Sequence, residues 1–364
     1  MIDKILLSPY YLALKLRHGL YNKGIKKVHQ SEVPSIGIGN ITVGGTGKTP
    51  HTEMLLGVLM EDQEWREKNV TVLSRGYKRE TKGFQQVTLG GSSYLFGDEP
   101  VQIKRKFPGI TVAVDKDRNE GCRFLCHPDE LQTSKKARRC LEKTFDPADL
   151  IILDDAFQYR ALKTDISIVL IDYNRPIFKD HLMPMGRLRD LPERLGEADI
   201  VIVTKCPPYM EEEEKAEWIK NLKIKDTQHI FFTYVGYCQM EPVYPEGESR
   251  YLYSSRLVLF TGIANDRPMK QFLSGTYKVV RHLSFPDHHK FSSHDIKSIK
   301  NAADDSPTAV VATTEKDSQR LKDCPAIPDT LKRRTFRLPI QVEFIGEGER
   351  ERFKELIFSM LKAR

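Results

Sequence analysis

The chain has 364 residues, 40% hydrophobic and 29% charged, a globular composition that excludes a disordered chain. At roughly 100–200 residues per folding unit, the length implies about two domains. Lys and Arg exceed Asp and Glu by 57 to 50; the surplus of +7 suits nucleic acid, an anionic membrane surface or a phosphorylated ligand, and selects none of them.

Residues 1–30 carry six basic side chains (Lys4, Lys15, Arg17, Lys23, Lys26, Lys27) against one acid, Asp3. Ser8-Pro9 reads as an N-cap followed by the first helical position. Tyr10, Ala13, Leu14, Leu16, Leu20 and Tyr21 then supply apolar surface, with Tyr11, Lys15, His18 and Asn22 on a more polar side. Such a helix lies in an anionic interface or packs on the protein's own core, and the residues leave both open. No run of about 18 apolar residues exists, so no spanning helix is expected. Ile5-Leu6-Leu7 stops at Ser8-Pro9, so no signal peptide is expected either, and the protein should stay where it is made.

From residue 35 to about 205, short β-branched apolar runs alternate with helical patterns. The runs are Ser35–Ile38, Val70–Leu73, Thr111–Val114, Leu150–Leu153, Ser167–Ile171 and Ile200–Val203. Runs apolar on both faces predict buried parallel strands in an α/β sheet. Glu211–Glu214 opens a charged helix, and Pro242, Pro245 and Gly247 mark a boundary. A second α/β unit follows, with strands near Leu257–Thr261, Tyr277–Leu283 and Ala309–Thr313 and a closing amphipathic helix through Phe353, Leu356, Ile357, Met360 and Leu361. The expected division is 1–30, a basic amphipathic segment; 31–225, a core domain; 226–255, a hinge; and 256–364, a smaller α/β domain.

Gly44-Gly45-Thr46-Gly47-Lys48-Thr49 stands between the first strand and a helix, the context a phosphate loop requires. Glycines let backbone N–H groups wrap phosphates, and the helix N-terminus adds partial positive charge. Lys48 would reach the β- and γ-phosphates and the Thr49 hydroxyl a magnesium ion. The loop consensus has glycine where this chain has Thr42. Asp154-Asp155 ends the apolar strand Leu150–Leu153 as a magnesium-holding acid should; either residue could be the ligand, and a helix cap is the plainer use. Thr204-Lys205-Cys206-Pro207 has proline where guanine-specific loops place their base-reading aspartate, which favours ATP over GTP.

The six cysteines (Cys122, Cys126, Cys140, Cys206, Cys238, Cys324) show no disulfide-framework spacing, and reduced thiols are expected. Cys122, Cys126, His127 and Cys140 match no standard zinc spacing.

The motifs converge. Gly39 to Pro50, Ser74-Arg75-Gly76-Tyr77, Gly97-Asp98-Glu99-Pro100, Asp154-Asp155-Ala156-Phe157-Gln158 and Leu182 to Asp190 occur in order. Phe260-Thr261-Gly262-Ile263-Ala264, Asp287-His288-His289 and Thr314-Glu315-Lys316-Asp317 follow. Along almost its whole length the chain resembles the tetraacyldisaccharide 4'-kinase (lipid A 4'-kinase) family, whose variant loop includes Thr42. Ala156 replaces a family glycine and Asp190 a family glutamate.

The resemblance implies a P-loop NTPase-like, mainly parallel α/β core with a second, smaller α/β domain and an N-terminal amphipathic helix. It implies transfer of a phosphoryl group from ATP, with Mg2+, to the 4'-hydroxyl of the tetraacyldisaccharide 1-phosphate precursor of lipid A. The place would be the cytoplasmic face of a bacterial inner membrane, the protein being peripheral. Separately, a monomer is expected, and without an RNP, zinc-finger or helix-turn-helix signature no nucleic-acid partner is expected. The resemblance also implies an acceptor-side dyad of Asp98 and His288. A sugar hydroxyl is a very weak acid, so a positioned base suits this chemistry independently. With Asp98 in the first domain and His288 in the second, the two domains would have to close. Asp98 as a helix cap and His289 as the reactive imidazole stay open. Arg75, Arg189 and Asp190 are candidate phosphate or substrate contacts, since Arg forks suit phosphate. A P-loop GTPase or ATPase regulator and a soluble small-molecule kinase are the rival readings. The second leaves the N-terminal segment without a role.

Overall fold

The computed structural model describes residues 2–324 and 326–363, and side chains from residue 9 onward. The side chains of Asp3, Lys4 and Ser8, which entered the reading of the N-terminal segment, lie outside the described residues. The chain forms two compact units: Met1–Gly90, Ile103–Val235 and Val342–Arg364 make the first, Gly91–Gln102 and Gly236–Gln341 the second.

The first unit is built on a sheet whose strands run, in spatial order, Ile340–Phe344, His229–Tyr237, Ile200–Thr204, Ile166–Asp172, Ser35–Asn40, Leu150–Asp154, Val70–Ser74, Thr111–Val114 and Gln85–Gln86. From His229–Tyr237 to Thr111–Val114 every pairing is parallel, and the two-residue edge Gln85–Gln86 is antiparallel. Each of the expected runs is a strand, all but Thr111–Val114 extended by one or two residues in total. Leu150, Ile151, Ile152 and Leu153 are fully buried, each side chain contributing about 1.5–3 kcal/mol relative to exposure. That burial fixes the strand end from which Asp154 and Asp155 emerge. Ser35–Asn40 has Leu150–Asp154 on one side and Ile166–Asp172 on the other. The order of strands reverses there, the place where open α/β sheets bind ligands beyond their carboxyl ends.

The N-terminal helix runs Ile2–Asn22 and includes Pro9 in its interior. It therefore begins earlier than the expected start at Ser8-Pro9. One face packs on the protein itself, with Leu14 and His18 buried, whereas Leu12 is 60% and Leu16 68% exposed on the other. Among the described residues no helix is long and apolar enough to cross a membrane.

The second unit has a five-stranded sheet in the order Glu241–Pro242, Thr335–Leu338, Val310–Thr314, Arg256–Thr261, Lys278–Ser284, parallel except for the two-residue edge. Ile296, Ile299 and Leu321 cover one face, and Met269 and Leu273 the other.

Three boundaries differ from expectation. Residues 229–237, placed in a hinge, form a strand of the first sheet. The closing helix Glu349–Lys362 belongs to the first unit because Phe353 packs edge-on against Phe231 at 5.2 Å. Asp98 belongs to the second unit, since Ser93 N–H donates to Asp323 at 3.0 Å and Glu99 pairs with Lys316 at 2.6 Å.

Candidate active site

The phosphate loop leaves the central strand at Asn40, and the helix Lys48–Met60 begins at Lys48. Gly44 (φ 110°) and Gly47 (φ 91°) take left-handed conformations that only glycine adopts without strain. Thr42 is no defect: it is buried, bridges to Leu188, and its neighbour Val43 donates to Arg187 O at 2.7 Å. Side chains brace the loop from behind. Asn40 Nδ2 donates to Thr46 Oγ1 at 2.7 Å, Thr204 Oγ1 to Thr46 O at 2.9 Å, and Lys205 Nζ to Gly45 O. The segment that lacks a guanine-reading acid thus has a structural role. His51 Nδ1 lies 2.7 Å from Gly47 O and Nε2 3.0 Å from Thr233 Oγ1. A carbonyl only accepts, so Nδ1 carries the proton. Burial pushes the His51 pKa down to about 4, with Lys205 assisting and the Gly47 bond opposing.

Asp155, with φ 55°, follows the neighbouring strand Leu150–Asp154 and lies 3.6 Å from Lys48 Nζ. The positive φ falls here and not on Ala156, so the alanine strains nothing. Burial would raise the Asp155 carboxyl, but Lys48 and Arg189 hold it below the usual range. Arg189 donates to Asp155 at 2.6 Å and also to Asn40. Asp154 is buried and accepts from Ser74 Oγ at 3.2 Å, while Arg118 donates to its carbonyl at 2.9 Å.

Thr49, Asp154 and Asp155 offer the hard oxygen donors that magnesium prefers. Among the described residues no group of three His, Cys, Asp or Glu side chains could hold a metal alone. That donor set fits magnesium held by one or two carboxylates together with nucleotide phosphates.

One candidate differs from expectation. Asp190 is 2% exposed and faces inward, bonded to His18 at 2.7 Å and to Arg194, and so presents nothing to a substrate. Arg189 faces a carboxylate, and Arg75 is exposed.

The second unit brings Asp98 and His288 together within itself, with His288 Nδ1 3.0 Å from Asp98 Oδ2. No domain closure is needed to make the pair. His288 has φ 62° and its N–H donates to Gly262 O at 3.2 Å. Burial alone would raise the Asp98 carboxyl; hydrogen bonds from His288 and Arg320 and the charges of Arg320 and Lys316 overcome it and hold it at about 2. An ionised Asp98 accepts only, so His288 Nδ1 donates. His289 turns away to Asp295 at 3.0 Å. Arg320, Lys316 and Glu99 were not read as site residues. Their sequence signals were that Glu99 lies in the same Gly-Asp-Glu-Pro motif as Asp98 and Lys316 in the same Thr-Glu-Lys-Asp motif as Asp317.

The comparisons with known proteins agree along the chain. The family model described as tetraacyldisaccharide-1-P 4'-kinase matches residues 4–362. The tetraacyldisaccharide 4'-kinase of Phocaeicola vulgatus is 38% identical over 346 residues, 93% of this chain and 89% of the relative. That of Parabacteroides distasonis is 36% identical over 370 residues, 99% and 95%. The crystal structure of "apo" form LpxK from Aquifex aeolicus in complex with ATP superposes with a TM-score of 0.70 at 26% identity, covering 99% of this chain and 100% of that one. The chain belongs to the tetraacyldisaccharide-1-phosphate 4'-kinase family.

Proposed function

We propose that this protein transfers the γ-phosphate of ATP to the 4'-hydroxyl of a tetraacyldisaccharide 1-phosphate, a precursor of lipid A. The observation that carries the reading is family membership over residues 4–362, with a complete Gly44–Thr49 phosphate loop inside it.

Each residue then has a physical task. The loop amides and Lys48 bind the β- and γ-phosphates, and Arg189 stands beside Lys48's partner, Asp155. Thr49 with Asp154 or Asp155 would hold magnesium, which would supply neutralisation of the phosphate charge. Phosphoryl transfer is mostly positioning, with little covalent work for the protein. Asp98, ionised at any working pH, orients the acceptor hydroxyl and receives its proton as the bond to phosphorus forms. His288 donates to Asp98 and keeps that carboxylate in place.

The N-terminal helix would hold the protein peripherally on the anionic cytoplasmic face of an inner membrane, as a monomer. Exposed Leu12 and Leu16 with Lys15 between them support that reading.

The test is label transfer from γ-labelled ATP, with magnesium, to the monophosphorylated lipid A disaccharide precursor in detergent, beside Asp98→Ala. Label on the lipid that is lost in the variant supports both the reaction and Asp98. Transfer persisting in the variant removes Asp98 from the proton path. No transfer by the folded, ATP-binding protein rejects the reading.

A further inference from the structure

Three separated motifs meet at one backbone position in the second unit. Asp317 Oδ2 accepts from Gly262 N at 2.8 Å and from Thr314 Oγ1 at 2.7 Å. Gly262 O accepts from His288 N at 3.2 Å and from Arg320 Nη1 at 3.0 Å. A Cβ at Gly262 would stand 2.9 Å from Asp317 Oδ1, so the packing requires glycine. Arg320 is the hub: Nη1 also donates to Asp317 Oδ1 at 2.9 Å, while Nε and Nη2 donate to Asp98 Oδ2 at 2.9 and 2.6 Å. Nη2 lies 3.2 Å from His288 Nδ1 as well. Arg320 is 5% exposed and Asp317 fully buried, so both ends of this fork are fixed.

All three donors to Asp98 fall on the same oxygen, Oδ2. Resting on the reading that Asp98 serves the acceptor hydroxyl, we propose that Arg320 is a positioning residue for the transfer. Its guanidinium, anchored on Asp317 and Gly262, pins Asp98 by Oδ2 and turns Oδ1 to the acceptor. The planar fork matters as much as the charge, because a lysine ammonium cannot bond Asp98, Asp317 and the Gly262 carbonyl in one fixed plane. The charged and titratable groups around Asp98 are His288, Arg320, Lys316, Glu99, Asp317 and Asp287. Of these, Arg320 alone donates to Asp98 twice.

The experiment compares Arg320→Ala, Arg320→Lys and Asp98→Asn in the full chain with ATP and the lipid acceptor, measuring kcat, both KM values and the pH–rate profile. Melting curves identify the variants that fold. Arg320→Ala should lose at least about tenfold in kcat, the scale of a misplaced reacting group, with KM for ATP unchanged. Its profile should gain an acid limb at higher pH than the parent's, because burial raises the Asp98 carboxyl once the hydrogen bonds and charge of Arg320 are gone. Millimolar guanidinium should restore part of the rate. Arg320→Lys should lose kcat while the acid limb stays low; should Arg320→Ala not fold, this variant carries the test. A folded Arg320→Ala, or Arg320→Lys in its place, with the parent's kcat and profile while Asp98→Asn is inactive overturns the proposal alone. An active Asp98→Asn overturns the reading beneath it.

Discussion

His18 Nε2 donates to Asp190 Oδ1 at 2.7 Å, joining the N-terminal helix to the residue after Arg189. Nδ1 of the same ring lies 2.8 Å from Arg160 Nη1. A carboxylate only accepts and a guanidinium only donates, so one neutral tautomer satisfies both. Tyr10 OH adds a bond to Arg189 O at 2.9 Å, and Arg17 one to Gln158 O at 3.0 Å. The inner face of the helix thereby grips the two loops that carry Arg189 and Asp155.

Replacing His18 by Ala should therefore reach the phosphate end of the reaction as well as the fold. Losing the buried bond costs about 1–3 kcal/mol, and a less constrained Arg189 should lower kcat severalfold. His18→Gln, which keeps a donor near the Nε2 position, should recover part of both. Calorimetry with steady-state kinetics checks this, and an unchanged kcat in a destabilised His18→Ala would confine the helix to a structural role.

Stability should fall on the acid side of neutrality. His51 is held at about 4 against an ordinary value of 6.5, first by burial. Burial likewise lowers His18, against the pull of Asp190. Below about 6.5 the unfolded chain binds protons that the fold refuses until its own lower pKa values are reached, so stability drops as pH falls from about 6.5 to 4. The His51 share is at most about 3 kcal/mol. Melting temperatures at pH 8, 6 and 5 should show the decline, and His51→Asn, which keeps a donor for Gly47 O, should flatten it.

The strands and the phosphate loop were legible because burial writes continuous apolar runs and phosphate binding needs glycines at fixed spacing. The Asp98–His288 pair came from resemblance, and no local pattern forecasts a contact across 190 residues. Unit membership of Asp98 was misread because sequence proximity to the first strands says nothing about the ion pair between Glu99 and Lys316. Asp190 was misread for a related reason. Standing where the family has a glutamate it looks like a substrate contact, and only the fold reveals His18 and Arg194 closing over it. Arg320 carried no signal, since an arginine in a charged helix resembles any solvated one.

Asp115 should be a stability cost at working pH. It follows the strand Thr111–Val114, is 2% exposed, and its Oδ2 meets no hydrogen-bond partner among the described residues. Burial, with Glu120 adding, pushes its carboxyl up to about 6 against an ordinary 3.8. A raised acid opposes folding once it ionises: the penalty is absent below about 4 and complete above about 6. Asp115→Asn should raise the melting temperature at pH 8, by on the order of 2 kcal/mol of stability, and change little at pH 4. Equal effects at both pH values would mean that the carboxylate is compensated in the fold.

The outer face of the N-terminal helix should separate membrane capture from chemistry. Leu12 and Leu16 are one turn apart and exposed, whereas Leu14 and His18 face the protein. Each buried leucine contributes about 1.5–3 kcal/mol, so withdrawing two from a lipid interface should weaken binding by at least tenfold. Leu12→Glu/Leu16→Glu should therefore leave the floating fraction in sedimentation with vesicles of anionic phospholipid. Its kcat on acceptor dispersed in detergent should stay at the parent value, because neither residue is part of the His18, Tyr10 and Arg17 contacts. If instead the variant binds vesicles like the parent, the exposed stripe serves something other than the bilayer. A joint loss of vesicle binding and of detergent-phase turnover would place these leucines in the acceptor's own binding surface.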